Sequence, residues 1–260
     1  MKSLKNNVGF TLVEIILVMV ILGIIASFTT AFVISTMRSF VSVNSKNSLL
    51  AESILSTEYM VRRLRNALPY STRLSNDGSC LQFMPIVSSG LYLDILPSVI
   101  NGAFSSGSIT PIQVSPFIVS GGDSDYLAIA ANSSDELFGF SPGSIAAISS
   151  TTTNSITLLS DKQWLRNSIT QRFYIVEAPS AFCLVNNELR LYRKFSIENS
   201  IVNVAGAYDL LSKSASALGQ VFSISSAVED RNIRVTLSLL FSQDDNRLES
   251  IKQVVVRNVP

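Results

Sequence analysis

Gly9-Phe10-Thr11-Leu12-Val13-Glu14 decides how the rest of this 260-residue chain is read. Ahead of it lies a short polar leader, residues 1–9, whose charged residues are Lys2 and Lys5. Behind it runs an apolar stretch, residues 15–26. That stretch continues to Met37 with Ser27, Thr29, Thr30 and Ser35 interspersed. A helix needs about 20 mostly apolar residues to cross a bilayer, and residues 10–34 supply them. Glu14 sits just inside the apolar end. A charge at the bilayer centre costs about 2.5–3.5 kcal/mol, and less near the edge, so this carboxylate asks for a partner. A secretory signal peptide carries its cleavage site after the apolar segment and is removed whole. Here the polar leader ends in Gly9, before the apolar run begins. A cut after Gly9 leaves the helix on the mature chain, with the free amine of Phe10 one helical turn from Glu14.

The helix is predicted to continue beyond the membrane. No Gly or Pro interrupts residues 37–68, and Leu50, Ile54, Val61, Leu64 and Leu68 recur at helical spacing as one apolar stripe. Arg62, Arg63 and Arg65 suit the negative end of the helix dipole and read as a solvated face. Pro69 is the stop signal. One helix over residues 10–68 is expected, with Gly23 and the Ser27, Thr29 and Thr30 region as places where it can bend.

After Pro69 the pattern turns to β. Residues 80–86 and 91–96 read as strands around a Ser88-Ser89-Gly90 turn. Residues 98–124 read as loop with a strand or two, at 112–114 and 117–119. Further strands are expected at 126–130, 155–159 and 171–177, and residues 132–155 read as irregular. Asn186-Asn187 tolerates positive φ and predicts a hairpin between 181–185 and 188–195. The clearest signal comes last. Ile233, Val235, Leu237, Leu239 and Phe241 alternate with polar residues, and Leu248, Ile251, Val254, Val255 and Val256 return. That is an antiparallel hairpin buried on one face, with Asp244-Asp245-Asn246 as its turn. The expected fold class is therefore α+β: a long N-terminal transmembrane and amphipathic helix packed on an antiparallel β-sheet domain. The expected divisions are a leader (1–9), a transmembrane assembly helix (10–36), its continuation (37–69) and a β-rich domain (70–260).

Composition narrows the function. Charged residues are only 15% of the chain and the net charge is +1, which gives no support for nucleic-acid binding. There is no histidine. That removes Ser-His and Cys-His catalysis and most zinc sites. Gly121-Gly122-Asp123-Ser124-Asp125 offers oxygen ligands but lacks the rest of a calcium loop, and reads better as a turn. Trp164, between Lys162 and Arg166, reads as a core or rim aromatic before it reads as a glycan- or partner-facing patch. No constellation argues for catalysis, a metal or a cofactor.

Gly9-Phe10-Thr11-Leu12-Val13-Glu14 with its apolar helix resembles the prepilin signature of type IV pilins and type II secretion pseudopilins. The resemblance implies cleavage between Gly9 and Phe10 by a prepilin peptidase and methyltransferase, and N-methylation of Phe10. It also implies that Glu14 pairs with a neighbouring subunit's N-terminal amine during filament assembly. Later stretches narrow it: Arg62-Arg63-Leu64-Arg65-Asn66-Ala67-Leu68-Pro69, Ser79-Cys80-Leu81-Gln82-Phe83-Met84-Pro85-Ile86, Gln171-Arg172-Phe173-Tyr174-Ile175-Val176, Phe182-Cys183, and Val254-Val255-Val256-Arg257-Asn258-Val259-Pro260. Together they are similar to the minor prepilins of mannose-sensitive haemagglutinin (MSHA) pili, and more loosely to W-type minor pilins and J-type minor pseudopilins. What this implies is a structural subunit without enzymatic activity, in the inner membrane and then in a surface filament. Its partners would be other major and minor pilins, met through their N-terminal helices, and the pilus assembly platform. A minor pseudopilin of a type II secretion system is the alternative. The positive leader and translocated remainder follow the positive-inside rule. The two cysteines, Cys80 and Cys183, then lie in the oxidising periplasm, where a disulfide is expected and two separate buried thiols are the alternative.

Overall fold

The computed structural model describes residues 11–100, 110–118, 123–139, 143–194, 196–197, 206–226 and 232–257. The chain divides into two compact units, residues 1–48 and 49–260. Helix α1 (Leu12–Arg65) begins in the first and ends in the second.

Among the described residues, fourteen strands follow α1. In chain order they are β1 (Arg73–Leu74), β2 (Cys80–Phe83), β3 (Ile86–Leu91), β4 (Ile112–Gln113), β5 (Tyr126–Ile129), β6 (Ile145–Thr151) and β7 (Ser155–Leu158). Then come β8 (Arg172–Val176), β9 (Ser180–Val185), β10 (Glu188–Tyr192), β11 (Tyr208–Ser212), β12 (Ala215–Ser226), β13 (Asn232–Gln243) and β14 (Asn246–Arg257). They build three antiparallel sheets: five strands in the order β1-β2-β9-β10-β11, three in the order β12-β13-β14, and six in the order β3-β8-β5-β6-β7-β4. The six-stranded sheet closes on itself. Tyr92, just past β3, bridges Val114, just past β4. Ser115 N–H donates to Leu91 O (2.8 Å) and Leu93 N–H to Gln113 O (2.9 Å) across that seam. Closure removes the sheet's edges. Inside lie Tyr92, Ile112, Leu127, Ile129, Ile156, Trp164, Phe173 and Ile175.

The larger core joins the C-terminal turns of α1 to the other two sheets. Met60 and Leu64 pack with Leu81, Phe83, Phe182, Leu189, Leu191, Phe222, Val235, Leu237, Leu239, Phe241, Val254 and Val256. Phe182 stacks on Phe83 (ring centres 5.0 Å apart) and takes the edge of Tyr59 from the helix (6.4 Å).

Four local expectations change. The helix ends at Arg65, short of Pro69, because the next residues pair with the β2–β3 connection: Leu68 N–H donates to Met84 O and Ile86 N–H to Asn66 O. The buried face of α1 is Leu49, Ser53, Ser56, Thr57, Met60, Val61 and Leu64, whereas Leu50 and Ile54 are about half exposed. The hydroxyls are comfortable there because they bond back to their own helix, Thr57 Oγ1 to Ser53 O (2.6 Å) and Ser56 Oγ to Glu52 O (2.7 Å). Ser88-Ser89-Gly90 is strand, not turn, and the strand stops at Leu91. Gly90 is there for close approach: a Cβ would stand 2.8–2.9 Å from the Phe173 ring. Residues 145–151 form β6 where irregular chain was expected. The two hairpins stand as read. Asn186 and Asn187 both take positive φ (52° and 63°), as a tight turn of this kind requires, and β13 pairs with β14 without a register break.

Candidate functional site

The N-terminal helix is the first candidate. Thr11 is its N-cap: Thr11 O accepts from the N–H of Glu14 (3.1 Å) and Ile15 (3.3 Å), and Thr11 Oγ1 lies 3.4 Å from Glu14 N. Thr11-Leu12-Val13-Glu14 has the Thr-x-x-Glu spacing of a capping box, a signal present in the sequence and not read from it. Glu14, in the first turn, is exposed and suits the positive end of the helix dipole. Gly9 and Phe10 lie outside the described residues. Beyond Glu14 the helix is long and apolar enough to cross a membrane, with a mean hydropathy of 2.6 over its best 18 residues, none of them buried in the chain's own fold. Four of its hydroxyls are satisfied without help from outside. Ser27 Oγ donates to Ile24 O, Thr29 Oγ1 to Ile25 O, Thr30 Oγ1 to Ala26 O and Thr36 Oγ1 to Phe32 and Val33 O. Such back-bonding lets polar residues sit in an apolar surrounding.

In the second unit, β2 and β9 place Cys80 directly opposite Cys183, and the two are joined with their Cα atoms 4.1 Å apart. Both are buried beside Ala181 and Tyr192. The bond closes a sequence separation of 103 residues. In the chain-entropy account a loop of that size is worth up to about 4.7 kcal/mol.

The remaining candidates are structural. Asp125 accepts from Ala178 N–H (2.7 Å), and Asp123 pairs with Lys194. Gly121 and Gly122 of that stretch lie outside the described residues. Among the described residues no group of three or more acidic, Cys or His side chains stands ready for a metal. Trp164 is buried inside the closed sheet, with Lys162 Nζ 5.9 Å from its ring centre. Arg166 turns instead to Glu136 in a two-pronged ion pair (2.6 and 3.0 Å) and also donates to Ala130 O. Burial pushes the Glu136 carboxyl up, but the bonds from Arg166, Asn132 N–H and Ser144 Oγ outweigh it and hold it below its ordinary value. Arg63 reaches Tyr59 Oη (3.3 Å), while Arg62 and Arg65 are exposed, a solvated helix end as expected.

The sequence reading missed Glu52. From α1 it accepts Lys213 N–H (2.9 Å) and Ser214 Oγ (3.1 Å), tying the helix to the β11–β12 turn. Burial raises its carboxyl, and hydrogen bonds from Ser212, Lys213 and Ser214 together bring it below its ordinary value. No local pattern marks such a residue, since its partners stand about 160 positions away.

Compared with known families, residues 4–30 match the prokaryotic N-terminal methylation motif. No curated protein and no solved structure gave a match. The N-terminal segment is thus type IV prepilin-like, as pilins and pseudopilins are. A motif of this kind implies processing by a prepilin peptidase and association with other pilins, and its long apolar helix fits a membrane-anchored pilin.

Proposed function

We propose that this chain is a minor type IV pilin of the MshO type. It would be made as a prepilin in the inner membrane with residues 70–260 in the periplasm, and drawn into MSHA pili as a priming or low-abundance subunit that supports filament assembly and adhesion. The observation that carries the reading is the methylation motif over residues 4–30, set on an exposed apolar helix. In this reading the leader is cut after Gly9, Phe10 is N-methylated, and its amine pairs with Glu14 of an adjoining subunit. In a low-dielectric surrounding an unpaired carboxylate is disfavoured, so such a pair draws neighbouring helices into a fixed axial register. The periplasm keeps Cys80 and Cys183 bonded. The role is structural rather than enzymatic. The same features serve a minor pseudopilin of type II secretion, and neighbouring genes separate the two.

Glu14 carries the test. It lies in the first unit and is not a member of the cores of residues 49–260. Glu14→Val is expected to be processed, inserted and folded, yet to fail in initiating filaments when it replaces the wild-type chain. Normal pilus counts at normal amounts of mature Glu14→Val subunit would refute the assembly contact.

A further inference from the structure

Among the described residues, the sheet edges of the second unit are closed, short or interrupted in every place but one. The six-stranded sheet closes on itself at Tyr92 and Val114. In the five-stranded sheet the outer strand β1 has two residues, and β11 is short and bulged opposite Leu189 and Arg190. In the three-stranded sheet β12 breaks register between Ala217 and Phe222, around Gly219 at φ 73°, and Phe222 N–H reaches Gly78 O (3.4 Å) in the β1–β2 turn. These are the usual ways of keeping an edge from pairing with another chain. Strand β14 is guarded only by its charged side chains, Arg247, Glu249 and Lys252 among them: it has 12 residues, no proline, and an unbroken register against β13 from Asn246 to Arg257.

The hairpin fixes what that edge offers. Gln243 and Asn246 flank the two-residue turn, so the even-numbered residues of β14 bond to β13 and the odd-numbered ones turn their N–H and C=O groups outward. Among the described residues, the outward groups of Arg247, Glu249, Ile251, Gln253 and Val255 have no backbone partner. The same five side chains are exposed, Ile251 at 59% and Val255 at 49%.

We infer that β14 is a pairing edge, and that its occupant is β14 of a second copy of this chain, antiparallel and centred on Ile251. In that register no like charges meet. Ile251 meets Ile251, Glu249 meets Gln253, Arg247 meets Val255, and on the other face Leu248 meets Val254 and Ser250 meets Lys252. Moving the centre to Glu249 sets Glu249 against itself, and moving it to Lys252 does the same for Lys252. Like charges directly opposite disfavour both. A pairing about a two-fold axis uses the same patch on both copies and stops at two. It is independent of how the leader is processed.

The full mature chain in membranes tests this by oxidative cross-linking. Ile251→Cys is expected to give a disulfide-linked dimer, while Leu159→Cys, still more exposed (71%) just past β7, does not. Adding a charge to the edge, as Ile251→Lys, is expected to remove the concentration-dependent slowing of amide exchange at Arg247, Glu249, Ile251, Gln253 and Val255. Exchange at even-numbered β14 amides reports that the hairpin itself is still folded. No dimer from Ile251→Cys with the hairpin folded, or equal dimer from Leu159→Cys, overturns the inference. So does protection of the outward amides that appears only when another pilin is added.

Discussion

Along residues 12–48 of α1 the large apolar side chains are exposed, among them Leu12 (74%), Phe28 (73%) and Phe32 (69%), while from Leu49 to Arg65 the same helix buries Ser53, Ser56 and Thr57 beside Met60 and Leu64. The difference lies in where the partner is. The second stretch finds its partners within the chain, in Phe182, Leu237 and the rest of the larger core, and it turns hydroxyls inward because they bond to their own helix. The part of the first stretch up to Met37 is apolar on nearly every side and exposed, so it belongs to a surrounding that is itself apolar.

The same substitution made in both stretches should break this contrast most sharply. Leu64→Ala removes a fully buried side chain and is expected to cost about 2–5 kcal/mol in stability of residues 49–260. Leu22→Ala, at a position 58% exposed, should leave that stability unchanged. Urea unfolding of the detergent-solubilised chain reads both, and an equal loss from Leu22→Ala would contradict the division.

Acid should destabilise the second unit. Glu52 and Glu136 are held below their ordinary values, and hydrogen bonds from Ser75 and Ser79 lower Asp77 from 3.8 to about 2. Carboxyls lowered by folding contribute fully above their unfolded values and lose that contribution as pH falls through the folded ones. The melting temperature of residues 49–260 should therefore hold steady from neutral pH to about 5 and fall below it. Glu52→Gln should remove part of that slope, and a slope identical to wild type would show that the β11–β12 turn does not depend on the carboxylate.

A smaller effect separates two adjoining helix positions. Leu49→Ala, at 1% exposure, should destabilise the fold measurably, while Leu50→Ala and Ile54→Ala, at 46% and 50%, should stay within about 0.5 kcal/mol of wild type. The reverse order in thermal melts would restore the stripe that apolar spacing predicts.

That stripe marks where sequence reading ran out. Counting apolar residues selects Leu50 and Ile54, and the chain buries hydroxyls in their place because their hydrogen bonds are already made within α1. Strand β6 was illegible for a related reason: Ala146, Ala147, Ser149 and Ser150 carry little β signal, and pairing with β5 and β7 makes the strand. In β3, Gly90 read as a turn because the ring of Phe173 that requires it is 83 residues away. Strands β11 and β12 were not read at all. The terminal hairpin was legible because alternation and turn chemistry agree locally, and so was the N-terminal segment, whose polar leader, Gly9 and apolar run follow one another directly. Cys80 and Cys183 could be named from the sequence. Their position opposite one another depends on the register of β2 and β9, which no local pattern gives.

The central claim is that the exposed apolar stretch is the retained helix of a processed prepilin. Mass spectrometry of the chain purified from the membranes of a bacterium that makes a prepilin peptidase tests it directly. The account predicts a mature N-terminus at Phe10 bearing a methyl group on its amine. An intact Met1, or a new N-terminus beyond Ala26, would contradict it.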